Sequence, residues 1–280
     1  MYRHILAAVN EHSNSEWAAR YALALARVCQ AQLTLIFAAT PATGREVVHR
    51  AEAALERLFL EATSQGVAVE SVVRAGDPFQ VIKELVAERE IQLTMAATRR
   101  EDLSRRFFLK TLARDLMLRL PCSVALVRVV HFGRVHPRRL LVPFRGHISK
   151  MEERVYFVAR LAEAFEAQVT LFHAPPSLTG YFRGRLTPAP KELEPHIPGD
   201  IAKFSEMLER CQIAHEKRLG RGAVATAITM EAAAQRSDLI IMGASGRGLM
   251  ESMLWGNPVE EVLRETPCNL IILLPRLKVP

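Results

Sequence analysis

Leu239-Ile240-Ile241-Met242-Gly243-Ala244-Ser245-Gly246, followed nine residues later by Gly256-Asn257-Pro258-Val259-Glu260, decides how the rest of this chain is read. An apolar run gives way to small residues, and a helix-start signal follows. That is a strand, a glycine loop and a helix, the unit of a parallel α/β sheet. Such a junction can hold a phosphate, because glycines let the backbone approach an anion and free N–H groups at a helix start favour it.

The same kind of unit recurs along the chain. Gln30-Ala31-Gln32-Leu33-Thr34-Leu35-Ile36-Phe37-Ala38 is echoed by Glu166-Ala167-Gln168-Val169-Thr170-Leu171-Phe172-His173-Ala174. From Gly76 (matching Gly222) through Cys122 (matching Cys268) the two copies run at a constant offset of 146, and earlier in the unit the offset is 136. The ten extra residues lie in the Pro-rich stretch 175–198 of the second copy. Two homologous domains follow, 1–130 and 131–280, joined near Val130–Pro137.

Within the first copy, strand-like and helix-like segments alternate. Strands are expected at Ile5–Val9, Leu33–Ala38, Val67–Val73, Ile91–Ala96 and Ser123–Val129. Helices are expected at Ser15–Cys29, Glu46–Thr63, Pro78–Glu88 and Leu109–Leu118. Ala51, Ala54, Leu55, Leu58 and Ala62 form the apolar side of the second helix. Five strands alternating with four helices predict a doubly wound α/β domain, a parallel sheet with helices on both faces, present twice in tandem.

The bulk numbers agree with this class. Hydrophobic content of 49% with 24% charged residues over 280 residues suits two globular domains. No apolar run is long enough to span a bilayer, and Met1-Tyr2-Arg3-His4 enters a strand-like run at once, so a cytoplasmic protein without membrane insertion is expected. The net charge of +7 would suit a polyanion. Arg99-Arg100, Arg105-Arg106 and Arg138-Arg139 are short clusters without interleaved aromatics, which argues against nucleic acid. Cys29, Cys122, Cys211 and Cys268 lack metal-ligand spacing, and Cys122 and Cys268 each follow a proline at the start of an apolar run, which predicts buried thiols. His12 and His147 have no companion carboxylate or Cys cluster, so no metal site is expected.

The spacing Gly-x2-Gly-x9-Gly at Gly243, Gly246 and Gly256, with the segment Asp238–Gly243 and the duplicated unit, resembles the universal stress protein family, here as a tandem two-domain member. The resemblance covers almost the whole chain. It implies the strand order 3-2-1-4-5 in each five-stranded sheet, which places a ligand where the winding reverses, between strands 1 and 4. In the second copy those ends are Pro143-Phe144-Arg145-Gly146 and Met242-Gly243. By resemblance, Gly243 and Gly246 lie along ribose and phosphates, Gly256 and Asn257 close over the phosphates, and Ala174 and Met242 line an adenine pocket. Asn257 stands where the family usually has Ser or Thr, and Arg145 where it has Asp. Arg145 and Arg247 could supply charge-assisted bonds to a polyphosphate. Asn257-Pro258-Val259-Glu260 also reads as a plain helix start, with Asn as cap, Pro at the first position and Glu at the third.

The first copy has lost the signature, with Ala97, Arg100 and Lys110 at the three glycine positions and Asn10 at the Asp position. The expected function is therefore a stress-response regulator binding ATP in its second domain, with Mg only through the nucleotide and without fast catalysis. A nucleotide-free scaffold acting through protein contacts is the alternative. A nucleotidyl-transfer enzyme is the third reading, and no catalytic constellation supports it. The resemblance further implies regulatory protein partners and pairing through the last strands, as a pseudo-dimer of the two domains or a homodimer of chains. His173 either stacks on a base or is a partly buried strand-end histidine. The stretch 175–199 reads as a loop or lid, or as a surface excursion. Trp255 is a core anchor or an interface residue.

Overall fold

The computed structural model describes residues 1–98, 111–132, 136–144, 148–173, 199–220, 222–244 and 258–277. The chain divides into two compact units, Met1–Val135 with Ile271–Pro280, and His136–Leu270.

In the first unit the elements are β1 (His4–Ala8), α1 (Ser13–Cys29), β2 (Gln32–Ala39), α2 (Arg45–Ser64), β3 (Val69–Ala75), α3 (Pro78–Glu88), β4 (Leu93–Ala97), α4 (Leu112–Arg119) and β5 (Ser123–Arg128). The strands lie in the order β3-β2-β1-β4-β5, which is the order 3-2-1-4-5. All four neighbouring pairs are parallel, with Ile5 opposite both Leu33 and Leu93. Central strands of such a sheet are covered on both faces, so they are mostly apolar. Ile5, Leu6 and Ala7 are fully buried, as are Leu33 and Leu35 of β2. β3 at the edge alternates instead, and carries Glu70 and Arg74. Charges on an edge strand discourage pairing with another chain.

The second unit repeats the plan with β6 (Arg139–Phe144), α5 (Met151–Phe165), β7 (Gln168–His173), α6 (Gly199–Arg210), β8 (His215–Leu219), α7 (Val224–Ala234), β9 (Leu239–Gly243) and α8 (Pro258–Glu265). Its strands run β9-β6-β7-β8, and β6 pairs in parallel with both β7 and β9. The final strand, β10 (Asn269–Leu274), starts in this unit, and its residues from Ile271 onward group with the first.

The turns repeat as faithfully as the strands. α1 and α5 end at Gln30 and Glu166, both left-handed at φ 51° and 49°. The next amide folds back in each copy, Ala31 N–H to the Ala26 carbonyl and Ala167 N–H to the Ala162 carbonyl, a helix-ending arrangement that satisfies a last-turn acceptor. Gly76 and Gly222 precede α3 and α7 at φ 147° and 91°, a region that favours glycine. Among the described residues, no helix is long and apolar enough to cross a membrane.

Candidate functional site

The carboxyl ends of β6 and β9 meet where the winding of the second unit reverses. β6 ends in the buried pair Pro143 and Phe144. The Phe144 ring meets Phe204 of α6 edge-on at 4.8 Å between centroids, and its carbonyl accepts a hydrogen bond from His173 Nδ1 at 3.2 Å. His173 is therefore a buried strand-end histidine, 4% exposed. Burial lowers its pKa, and the bond to the carbonyl opposes that only in part. β9 delivers Met242, 6% exposed, and ends on Gly243. Pro143, Phe144, Met242 and Gly243 are thus brought to one end of the sheet. Arg145, Ala174, Gly246, Arg247, Gly256 and Asn257 lie outside the described residues, as do His147, Trp255 and the stretch 174–198.

One residue of this end had no signal in the periodicity. Arg154, in the first turn of α5, lays its guanidinium directly on Gly243. A Cβ built on Gly243 would coincide with Nη1 and crowd Cζ of Arg154. Arg154 Nε donates to the Ser149 carbonyl and Nη2 to the Ala244 carbonyl, both at 2.8 Å. Among the described residues no carboxylate lies within ion-pair distance of it. Burial pushes its pKa down to about 10, with the charge of Glu153 opposing. The only sequence signal is a paired difference between the copies. Where the second has Arg154 and Gly243, the first has Ala18 and Ala97.

The matching end of the first unit is open. A cleft of about 370 Å³ lies at the ends of β1, β2 and β4, lined by Val9, Asn10, Phe37, Thr40 and Ala97 among others. Its one charged lining side chain among the described residues is Glu11, whose carboxylate is 3.2 Å from Nε2 of His12. Asn10 folds its own loop, its Oδ1 accepting from the His12 N–H and its N–H donating to Ser15 Oγ. Arg100 and Lys110 lie outside the described residues.

The thiols have the environments their flanking prolines suggest. Cys122 and Cys268 are both 4% exposed, and burial raises both pKa values, Cys268 to about 12. Among the described residues there is no group of three or more His, Cys, Asp or Glu arranged to hold a metal ion.

The parallel strands of the first unit, in the order β3-β2-β1-β4-β5, and those of the second, in the order β9-β6-β7-β8, define a tandem doubly wound α/β protein. The model of the universal stress protein family matches residues 1–128 and 137–273, and the chain belongs to that family. The fold is shared with a universal stress protein from Archaeoglobus fulgidus DSM 4304, at a TM-score of 0.66 and 16% identity over 96% of this chain and 95% of that one. A functionally unknown protein, PA1789 from Pseudomonas aeruginosa PAO1, is similar at a TM-score of 0.63 and 17% identity, covering 98% of this chain and 93% of that one. No curated protein matches the chain.

Proposed function

We propose that the chain is a stress-response regulator that binds one ATP-type nucleotide in its second domain, with Mg²⁺ carried only by the nucleotide, and that it responds through shape or partner contacts without fast turnover. The observation carrying this reading is the placement of Gly243 at the carboxyl end of β9, beside β6, at the reversal point of the sheet. A glycine there leaves room at the strand end, which the Arg154 guanidinium occupies, and the first domain presents Ala97 at the same place. Gly246, Gly256 and Asn257 complete the spacing in the sequence, with Arg145 and Arg247 beside them.

Titration calorimetry tests the reading. One ATP per chain is expected, with GTP similar and AMP much weaker, because cations rather than a base-reading Asp flank the site. Gly246→Asp should abolish binding, since it brings a negative charge into the phosphate path. ATP turnover should stay below the ordinary enzymatic range, on the order of one per second. Two equivalent ATP sites, or AMP binding as tightly as ATP, would contradict it.

One observation favours a second reading. Arg154 already fills the space over Gly243 and bonds two carbonyls, so the glycine has an internal reason to be there. Such a domain would work as a nucleotide-free scaffold. Absence of any ATP heat, with a melting temperature indifferent to millimolar ATP, distinguishes it.

A further inference from the structure

We propose that Arg154 is the phosphate-binding residue of the second domain: its guanidinium, seated on the glycine that ends β9, pairs with a phosphate oxygen of the ligand and makes recognition depend on phosphate charge. This rests on the reading of that strand end as a nucleotide site.

Three observations converge on it. The first is position. Arg154 belongs to the first turn of α5, the helix that follows β6, and its side chain reaches the last residue of β9, so it lies across the strand ends where the sheet reverses.

The second is the exchange between copies. Ala18 and Ala97 of the first domain are replaced together by Arg154 and Gly243 in the second. Ala18 is 1% exposed, so its position is an interior one that a small residue fills well. Glycine at position 243 gives the arginine room to lay its guanidinium against the strand end, in the space a Cβ would take. Packing alone is served by the alanine pair, and the second domain adds a charge at this strand end that packing does not call for.

The third is the balance of charge. A structural arginine taken out of water usually meets a carboxylate. Arg154 is half-buried and hydrogen-bonds two neutral carbonyls among the described residues; burial presses on its charged form, and the charge of Glu153 opposes this only in part. Those carbonyls hold Nε and one N–H of Nη2, and the planar fork has further N–H groups on Nη1 and Nη2. A phosphate oxygen satisfies them with opposite charge and matching geometry. Glu11 at the corresponding end of the first domain gives that cleft the opposite sign.

The test titrates the full chain with sodium tripolyphosphate, ATP and adenosine, for the wild type, Arg154→Met and Arg154→Lys. Methionine refills the space without charge, and lysine keeps the charge without the fork. Tripolyphosphate and ATP are expected to bind the wild type at one per chain and adenosine far more weakly. Arg154→Met should lose on the order of ten- to a hundredfold in affinity for both anions, and Arg154→Lys less. Should either variant fail to fold, the wild type still decides: the Nε–H resonance of Arg154 should shift on saturation with tripolyphosphate. ATP binding by a folded Arg154→Met at wild-type affinity, or an unmoved resonance at saturation, overturns the role of Arg154 and leaves the nucleotide reading intact. Tripolyphosphate binding through Arg154 without ATP binding overturns the nucleotide reading and keeps the anion seat. Binding of neither anion to the wild type overturns both.

Discussion

At Gly243 a single hydrogen in place of a methyl group decides whether Arg154 has somewhere to go. Gly243→Ala puts a Cβ where Nη1 now sits, so the guanidinium must leave its two carbonyls or the end of β9 must shift. We expect a loss of about 0.5–1.5 kcal/mol, because the flexible end of Arg154 can swing aside at the expense of its hydrogen bonds. Arg154→Ala alone removes the two hydrogen bonds and leaves a void. The double variant recreates the alanine pair of the first domain, Ala18 with Ala97, and should be less destabilised than the two single losses added, by about 1 kcal/mol or more. Urea unfolding of the four proteins measures this, and strict additivity would mean that the two residues do not share the space. The buried histidines give a second residue-scale expectation. His4 donates through Nε2 to Thr34, whose hydroxyl donates to Glu70, and burial lowers the His4 pKa as it does that of His173. Both start from 6.5 in the unfolded chain, so above that pH neither state holds the proton and stability is complete. As pH falls below 6.5, the unfolded chain takes up protons that the folded chain resists, and stability declines toward the lowered folded values. The urea midpoint should drop between pH 7.5 and pH 5, and His173→Asn should flatten part of that slope.

At the scale of elements, the two copies differ in how their helices begin. Asp77 caps α3, its carboxylate accepting from the Gln80 N–H at 3.0 Å, with Pro78 at the first helical position. Ala223 occupies the same place before α7 with nearly the same backbone, φ −65° and ψ 132° against −66° and 126°, and offers no side-chain acceptor. Asp77→Ala should therefore cost about 1 kcal/mol, and Ala223→Asp should gain about 0.5–1 kcal/mol by capping α7 and opposing its dipole. Thermal melts of the two variants moving in the same direction would argue against capping as the cause. Most of this architecture was legible in the sequence because each structural joint recurs, Gln30 with Glu166, Gly76 with Gly222, Cys122 with Cys268. The cross-strand pairs recur too, Thr34 with Glu70 and Thr170 with Glu216, each hydroxyl donating to its opposite carboxylate. Boundaries were less legible. β3 begins at Val69 rather than Val67, and α4 begins at Leu112 because Thr111 caps it, its hydroxyl accepting from the Arg114 N–H. The apolar run before Thr111 masked that stop. Arg154 was illegible for a different reason. Helical periodicity reports which side a residue faces, and it cannot report that the partner is a glycine 89 positions away.

At the scale of the whole molecule, the two copies have kept one scaffold and parted in strand-end chemistry. In the first unit the reversal point is a cleft with a carboxylate at its edge; in the second it is a guanidinium on a glycine. The scaffold itself is not a simple sequence of two blocks, because the chain's last residues group with the first unit. There Arg276 is the fastening. Its backbone N–H donates to Ser123 Oγ at 2.8 Å, and Nη2 donates to the carbonyls of Met117 at 2.7 Å and Leu118 at 3.2 Å. Met117 and Leu118 sit in the last turn of α4, where carbonyls lack helical partners and the dipole favours a cation. One side chain thus ties the end of the chain to a helix end more than 150 positions earlier. Arg276→Ala should cost about 1–2 kcal/mol, in line with loss of a charged donor to carbonyls that are left partly unpaired. The loss should be local to the first unit. Hydrogen exchange should quicken in α4 and β5, with little change in β6 and β7. Uniform acceleration across both units would mean instead that the terminal segment fastens the molecule as a whole. No change anywhere would mean that water takes over the bonds to Met117 and Leu118 at no cost.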